Sequence, residues 1–550
     1  MKLSPLNGWV GTSLKIGTVF FSSIALLGAD GGRKDSDDRP IPLTVPKAVC
    51  GPHDNPETAL QGQVPAAMRA AGFKGFNCNL ELLGQSKGDG ANWQTTQFKQ
   101  RGDRDDDDDD DDRDGEHGNK HTRVCGYHGT ASPARSLPGR AQLGVPVVDL
   151  TDPRNPTPTA FLTTSSMLDP WESLKVNERR QLLGADNGQN GGGGSEIDIY
   201  DLSEDCRFPQ LLASAPVGTG ADGGIVPPFT PIGHEGSFAP DGLTYYIGDT
   251  RNRSYHAIDV TDPSKPKMIA TFSMPSIGLR SHGLSISEDG TRAYVVSPGS
   301  VALADLGNPN APSTNGFVIL DTSEIQERRP DPRFRVISTF LIRDGGTAQH
   351  TIPVKIKGKP YVIHVDEGGS GGISSAAQFQ AACAAGLAPF PMARIVDISD
   401  ETKPKLVSKL MLEVHDPANC QKVAPDIVGL SVFTYGSHYC SVDNKHHATT
   451  LACGYFNSGI RVFDIRDPLR PKEIAYFNPA GTTTASPGSN HNRAGGWVAG
   501  GPDWCSAQVH LDAKRGTVWS TCQDNGVLAL KFRRGVWPFP ESRTPPGAQN

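Results

Sequence analysis

Four histidines stand at one fixed distance from a turn. His234 precedes Gly242 by eight residues, His282 precedes Gly290 by eight, His350 precedes Gly358 by eight, and His438 stands eight before His446, which fills the equivalent turn position. A further copy has Gln508 eight before Gly516, and the first two copies of the pattern show no match. Each histidine opens a short run of strand composition, so successive units place an imidazole at the same end of the same element. One reading makes the histidine a repeat residue whose ring N–H ties its strand to a neighbouring turn, satisfying a buried polar group. The other makes the imidazoles converge on an axis and hold a transition metal, with carboxylates ordering the rings. That second reading requires ring nitrogens about 2.0–2.1 Å from one ion, as for zinc. All four histidines cannot ligate together if they are spread over more than half a ring. Asp186, Asp249, Asp366, Glu367 and Asp524 end the strands that follow and are expected at the same end. His491 and His415 lie in long loops and could complete a site, but as isolated loop residues they are expected to face solvent, and His364 and His256 fall within strands as packing residues.

Other chemistries find little support. There is no Gly-x-Ser-x-Gly nucleophile elbow and no phosphate-binding glycine loop leading into a helix. No pair of carboxylates is set apart as an acid–base couple. The tract GQNGGGGS at 188–195 is a flexible turn by composition.

The elements that must position the histidines announce themselves through a second repeat. A short apolar strand runs into Asp, a small hydroxyl residue and a Pro-rich turn at Asp149, Asp201, Asp259, Asp321, Asp397 and Asp464, at intervals of 52 to 76 residues. The Asp position suits a carboxylate that caps its own turn, and Pro156, Pro266, Pro404 and Pro471 each follow it by seven residues. Within one unit, GHEGSFAP reaches the Asp241-Gly242 turn, LTYYIGD returns, SYHAIDV goes out and MIATFSM comes back. Turn chemistry and alternation therefore predict four antiparallel strands per unit. Third strands fall near 145–150, 196–202, 255–260, 316–321, 393–398, 459–465 and, without the Asp, 526–532. Seven four-stranded units stacked side by side predict an all-β, seven-bladed β-propeller over residues 70–535, preceded by an extension at 30–69 and followed by a tail at 536–550.

In such a blade the second-to-third and blade-to-blade connections share one face. The long segments 126–143, 217–232, 297–315, 368–391, 413–434 and 478–503 fall in that class, so this face is the expected binding rim. The acidic insertion at 85–121 is expected on the opposite face.

The strand-Asp-Ser/Thr-Asp-Pro phrase, preceded by a Gly-rich turn, resembles the LVIVD repeat of exported bacterial propeller proteins over roughly residues 70–535. The expected fold is also similar to that of the selenium-binding protein and methanethiol oxidase family, a resemblance that implies copper dependence. No residue-level motif transfers that activity.

Composition narrows the setting. The formal net charge is −7, but 101–114 holds ten Asp against three Arg, so the rest of the chain is neutral overall. No basic face for nucleic acid follows. The run Asp105–Asp112 reads as a solvated, disordered insertion or as a loose calcium-attracting tract. Lys2 and Lys15 precede an apolar stretch from Ile16 to Ala29, too short to span a bilayer and of the length of a signal peptide, with cleavage near Ala29 and Leu27 at the −3 position. Export to a secreted, periplasmic or cell-surface location agrees with ten cysteines. Cys440 and Cys453 should face each other across a hairpin, as should Cys505 and Cys522. Cys78 and Cys125 are expected to bridge across the acidic insertion, while Cys50, Cys206, Cys383 and Cys420 stay unassigned. None has CxxC spacing. Two functions fit: a binding scaffold that takes a protein or small-molecule ligand on its long-loop face, and a metal-dependent oxidoreductase using His234, His282, His350 and His438.

Overall fold

The computed structural model describes residues 43–101, 122–130, 142–188, 196–216, 233–373, 375–428, 433–489 and 498–540. It is a seven-bladed propeller of antiparallel blades. From the channel outward, blade 1 comprises Thr95–Gln100, Arg123–His128, Val145–Asp149 and Thr157–Leu162. Blade 2 comprises Lys175–Asn177, Leu182–Asp186, Glu196–Asp201 and Gln210–Pro216, and blade 3 Glu235–Phe238, Thr244–Asp249, Ser254–Asp259 and Lys267–Ser273. Blade 4 comprises Leu284–Ile286, Arg292–Ser297, Asn315–Asp321 and Arg335–Ile342, and blade 5 Gly346–Ile356, Lys359–Gly368, Ala393–Asp397 and Lys405–Lys409. Blade 6 comprises Cys440–Val442, Thr450–Gly454, Ile460–Asp464 and Lys472–Asn478, with Phe76–Cys78 added as a fifth, outermost strand. Blade 7 takes His510–Asp512, Thr517–Cys522 and Gly526–Phe532 from the C-terminal part of the chain and its outermost strand, Leu80–Ser86, from the N-terminal part. Leu80 pairs with Phe532 and Ser86 with Val527, which closes the ring.

The repeated aspartates do what their position predicts. The backbone N–H two residues on donates to the carboxylate of Asp149, Asp201, Asp259, Asp321, Asp397 and Asp464 at 2.7–3.1 Å. The pair formed by the third and fourth strands of every blade carries a register shift, such as Ala257/Ile258 in blade 3 and Ile319/Leu320 in blade 4. A bulge there increases twist and spoils the exposed edge for pairing with another chain. Blade 5 has a second bulge, in its innermost pair between Ala348 and His350.

Apolar layers fill the spaces between blades. One joins Ile363, Val365 and Ile395 of blade 5 to Leu451, Cys453 and Phe463 of blade 6, and another joins Tyr255 and Ala257 to Val295, Val318 and Leu320. These are the faces that a lone blade cannot bury.

All ten cysteines form disulfides: Cys50–Cys78, Cys125–Cys206, Cys383–Cys420, Cys440–Cys453 and Cys505–Cys522. The two hairpin pairs are those expected. The expected Cys78–Cys125 bridge is wrong, because Cys78 lies in the strand added to blade 6 while Cys125 lies in the second strand of blade 1. Cys125 instead ties blade 1 to the turn after the third strand of blade 2. The limits 85–121 for the acidic insertion also need correction, since Leu80–Ser86 and Thr95–Gln100 are strands of different blades. The acidic run, the N-terminal apolar stretch, the glycine tract beyond Gly188 and His491 lie outside the described residues. Among the described residues no helix is long and apolar enough to cross a membrane.

Candidate metal centre

The innermost strands bring His234, His282 and His438 to the loop-face mouth of the channel, where they meet two carboxylates. Glu172, His234 and His282 each offer a ligand atom within 4.8 Å of the others. Glu172 Oε2 lies 3.2 Å from His234 Nε2 and 4.0 Å from His282 Nε2, and its Oε1 lies 3.4 Å from His438 Nε2. Glu367, which ends the second strand of blade 5, reaches His282 Nε2 at 3.6 Å and His438 Nε2 at 3.3 Å. All five side chains are buried.

Backbone carbonyls orient two of the rings. His282 Nδ1 meets Gln349 O at 3.3 Å and His438 Nδ1 meets Ser506 O at 2.9 Å, each on the next blade. An Nδ1–H donated to a carbonyl directs Nε2 to the channel, as in many metal-binding histidines. His234 differs: Trp171 Nε1 donates to its Nε2 at 3.2 Å, and its Nδ1 is buried without a partner. This ring can bind an ion through Nε2 only by giving up the indole hydrogen bond.

The electrostatics suit a cationic centre. Burial penalises the charge on Glu172, but His234, His438 and His282 outweigh that and hold its carboxyl well below the ordinary range. Burial likewise opposes the charge on His438, yet the nearby carboxylates of Glu172 and Glu367 raise the imidazole to about 9. His282 is pushed down by burial and by the neighbouring His234.

Glu172 is the residue that the histidine spacing missed. Counted from the last paired residues before the turn, Asn177–Leu182 in blade 2 and Ala239–Thr244 in blade 3, Glu172 and His234 both lie five residues upstream. Glu172 also precedes Arg180 by eight. The signal was present, but blade 2 has Glu178-Arg179-Arg180-Gln181 in place of a glycine turn.

The structure does not bring His350 into this group. The bulge between Ala348 and His350 inserts Gln349, whose side-chain amide donates to Glu172 Oε2 at 2.9 Å. His350 stacks on Tyr439 at 4.7 Å between ring centroids and accepts from Cys440 N at 3.3 Å. A bulge that re-aims one side chain beside a site is a known use of that irregularity.

Of the carboxylates expected nearby, Glu367 alone reaches the rings. Asp249 pairs with His256 at 3.2 Å, Asp366 pairs with Arg394, and Asp524 accepts from Ser486 N at 2.6 Å. Asp186 is buried and held well above its ordinary value by burial and by Asp249. His364 is buried as expected of a packing residue. His415 is not solvent-facing: it is buried, with Nε2 at 2.8 Å from Pro391 O and Nδ1 accepting from Leu412 N at 2.8 Å. Cys50, Asp54 and Cys78 also cluster, but the two sulfurs are joined and offer no thiolate.

Below the rings, Tyr439 donates to Glu172 Oε2 at 3.2 Å. Lys175 lies 3.6 Å from Glu235, whose carboxyl is raised to about 8 by burial, partly offset by Lys175. Above the rings, Trp93, Phe456 and Trp504 form a buried aromatic cluster with Phe433 and Trp171 against it. Trp93 and Phe456 approach His438 at 5.0 and 5.2 Å, and Trp171 approaches His234 at 5.9 Å.

No protein-family model matches this chain. No curated protein matches it either. Solved structures similar to it include a putative 6-phosphogluconolactonase from Bacteroides uniformis, 10% identical over 73% of this chain and 92% of that one at a TM-score of 0.45. A periplasmic gluconolactonase from Pseudomonas aeruginosa is 12% identical over 72% and 93%, at 0.41. Sqt1 from Chaetomium thermophilum is 12% identical over 83% and 98%, at 0.42. Similarity this remote transfers no activity.

Proposed function

We propose that the protein is an exported metalloenzyme of the oxidoreductase class, with a transition metal held at the loop-face mouth of the propeller channel. The observation that carries this reading is the meeting of three imidazoles from three blades with two carboxylates, two of the rings being fixed through Nδ1 so that Nε2 faces the cluster. His282 and His438 are the first ligands, Glu172 and His234 complete the set, and Glu367 either ligates or orders the two rings it touches. Imidazoles with carboxylate suit copper, iron or zinc, and the resemblance to the selenium-binding protein and methanethiol oxidase family makes copper the first to test. When bound, such an ion supplies single-electron or Lewis-acid chemistry.

The surrounding residues have definite tasks in this reading. Gln349 and Tyr439 fix the Glu172 carboxylate by hydrogen bonds. The aromatic cluster keeps water from the loop side of the rings, which strengthens every electrostatic interaction within. Loss of a proton from His438 frees the lone pair that a ligand needs, so metal uptake releases protons.

Elemental analysis of purified protein tests the reading. About one equivalent of copper, iron or zinc, absent from a folded His282→Ala/His438→Ala double variant, is the expected result. A metal-free native protein that takes up none of these ions overturns it. The scaffold reading would then stand, favoured by the loop-face helices Ala376–Ala384 and Cys420–Ile427, which the Cys383–Cys420 disulfide joins into one ordered surface.

A further inference from the structure

The opposite, turn-face mouth of the channel is a different kind of site. It opens into a cavity of about 1730 Å³ lined by seven lysines and arginines against four carboxylates. Four of the seven cations are paired, among them Lys99 with Asp512 at 3.2 Å and Lys175 with Glu235 at 3.6 Å. Glu401 takes Arg292 at 2.8 Å, Glu288 takes Lys355 at 3.4 Å and His446 at 3.0 Å, and Asp289 accepts from Ser287 and Thr291. Lys175 lies deep in the funnel, its ammonium shared with Glu235 and set over the Tyr439 ring at 5.8 Å. Lys445 projects from the hairpin turn of blade 6, and Arg101 and Arg179 stand at the rim. Among the described residues, Lys445, Arg101 and Arg179 have no carboxylate within ion-pair distance.

The two lysines disfavour each other's charge. Lys445 is pushed below its ordinary value by the low-polarity funnel walls beside it and by Lys175, although the side chain stays open to solvent on its turn. A concave site whose wall and rim carry Lys445, Arg179 and Arg101 outside any ion pair offers an entering anion the counter-charge role that no described carboxylate fills. An oxyanion would meet charge-assisted donors in it, the stronger class of hydrogen bond.

We propose that this funnel is a binding site for a small organic acid or phosphate ester, its oxyanion group seated between Lys445 and Lys175 with Arg101 and Arg179 guarding the approach. The seat at Lys445 is distinct from the metal ligands, although Lys175 also feels the charge of Glu172, and it stands whether or not that centre binds an ion.

Sodium phosphate and citrate are the probes, titrated at constant ionic strength into the full-length protein by calorimetry, with metal content measured in parallel. Saturable binding of either with Kd below about 1 mM is expected. Lys445→Gln should weaken it about tenfold or more and Lys445→Glu should abolish it, with unchanged metal content and circular dichroism. Lys265→Gln, on the outer turn of blade 3, should change nothing. Binding of phosphate alone assigns a phosphate ester, and of citrate alone a carboxylic acid. Absence of saturable binding by both, or binding that survives Lys445→Glu, overturns the proposal. Because Lys445 is exposed on a turn, its variants should fold. Loss of metal without loss of anion binding would count against the metal centre alone.

Discussion

The two mouths of the channel are built from the same inner strands, yet they treat charge in opposite ways. At the loop face every imidazole has a carboxylate within 4.0 Å and aromatic rings close over the group. At the turn face the lysines outnumber their partners and stand in a cavity open to solvent. The first arrangement is dry and nearly neutral within itself; the second is open to solvent, with Lys445, Arg101 and Arg179 outside any ion pair among the described residues. A buried group must bring its own counter-charge because desolvation of an unpaired ion costs several kcal/mol (~3–5 when one partner of a buried pair is removed). An exposed group can leave that role to a ligand. The contrast separates a place built to hold something permanently from one built to take something up.

The largest effect that would break this contrast is expected at Glu172. Glu172→Ala removes the group that His234, His282 and His438 share and should destabilise the metal-free protein by about 3–5 kcal/mol, measured by denaturant unfolding, while abolishing metal retention. A loss below about 1 kcal/mol would mean that the cluster is more hydrated than its burial indicates. Next is the pH response. His438 is held at about 9 in the folded protein against about 6.5 unfolded. Its contribution is fully present below about pH 6.5 and is lost as pH rises through about 9, on the order of 3 kcal/mol at most. Metal-free wild type should therefore lose stability across that window, and His438→Gln should flatten the loss. A steeper profile in the variant would contradict the assigned partners.

His350→Ala offers a sharper, smaller test. It should lose the stacking on Tyr439, about 0.5–1.5 kcal/mol beyond the area buried, and keep its metal, in contrast to His438→Ala. The smallest effect belongs to the turn face, where Lys445→Gln should shift stability by no more than about 0.5 kcal/mol while changing anion affinity.

These expectations also show where the sequence was legible. The blade count, the Asp turns and the two hairpin disulfides follow from local pairing, in which residues a few positions apart determine one another. The histidine register was readable for the same reason, and His234, His282 and His438 do converge. Glu172 escaped because its turn lacks the glycine used as a marker. His350 was misplaced because a single extra residue at Gln349 is invisible to a count made from the turn below it. The Cys50–Cys78 and Cys125–Cys206 pairings depend on which blade each strand joins, a long-range fact that no spacing encodes. The charged lining of the turn-face funnel comes from five blades, and only closure of the ring brings them together.

The strand Leu80–Ser86 can find its partner only when Gly526–Phe532 has been synthesised. Ser506 O, which orients His438, belongs to the same late stretch of chain. A polypeptide released before that point would carry every proposed ligand without their alignment. The fold thus works as a length check: a chain must extend through Phe532 before the ring closes and the centre is organised.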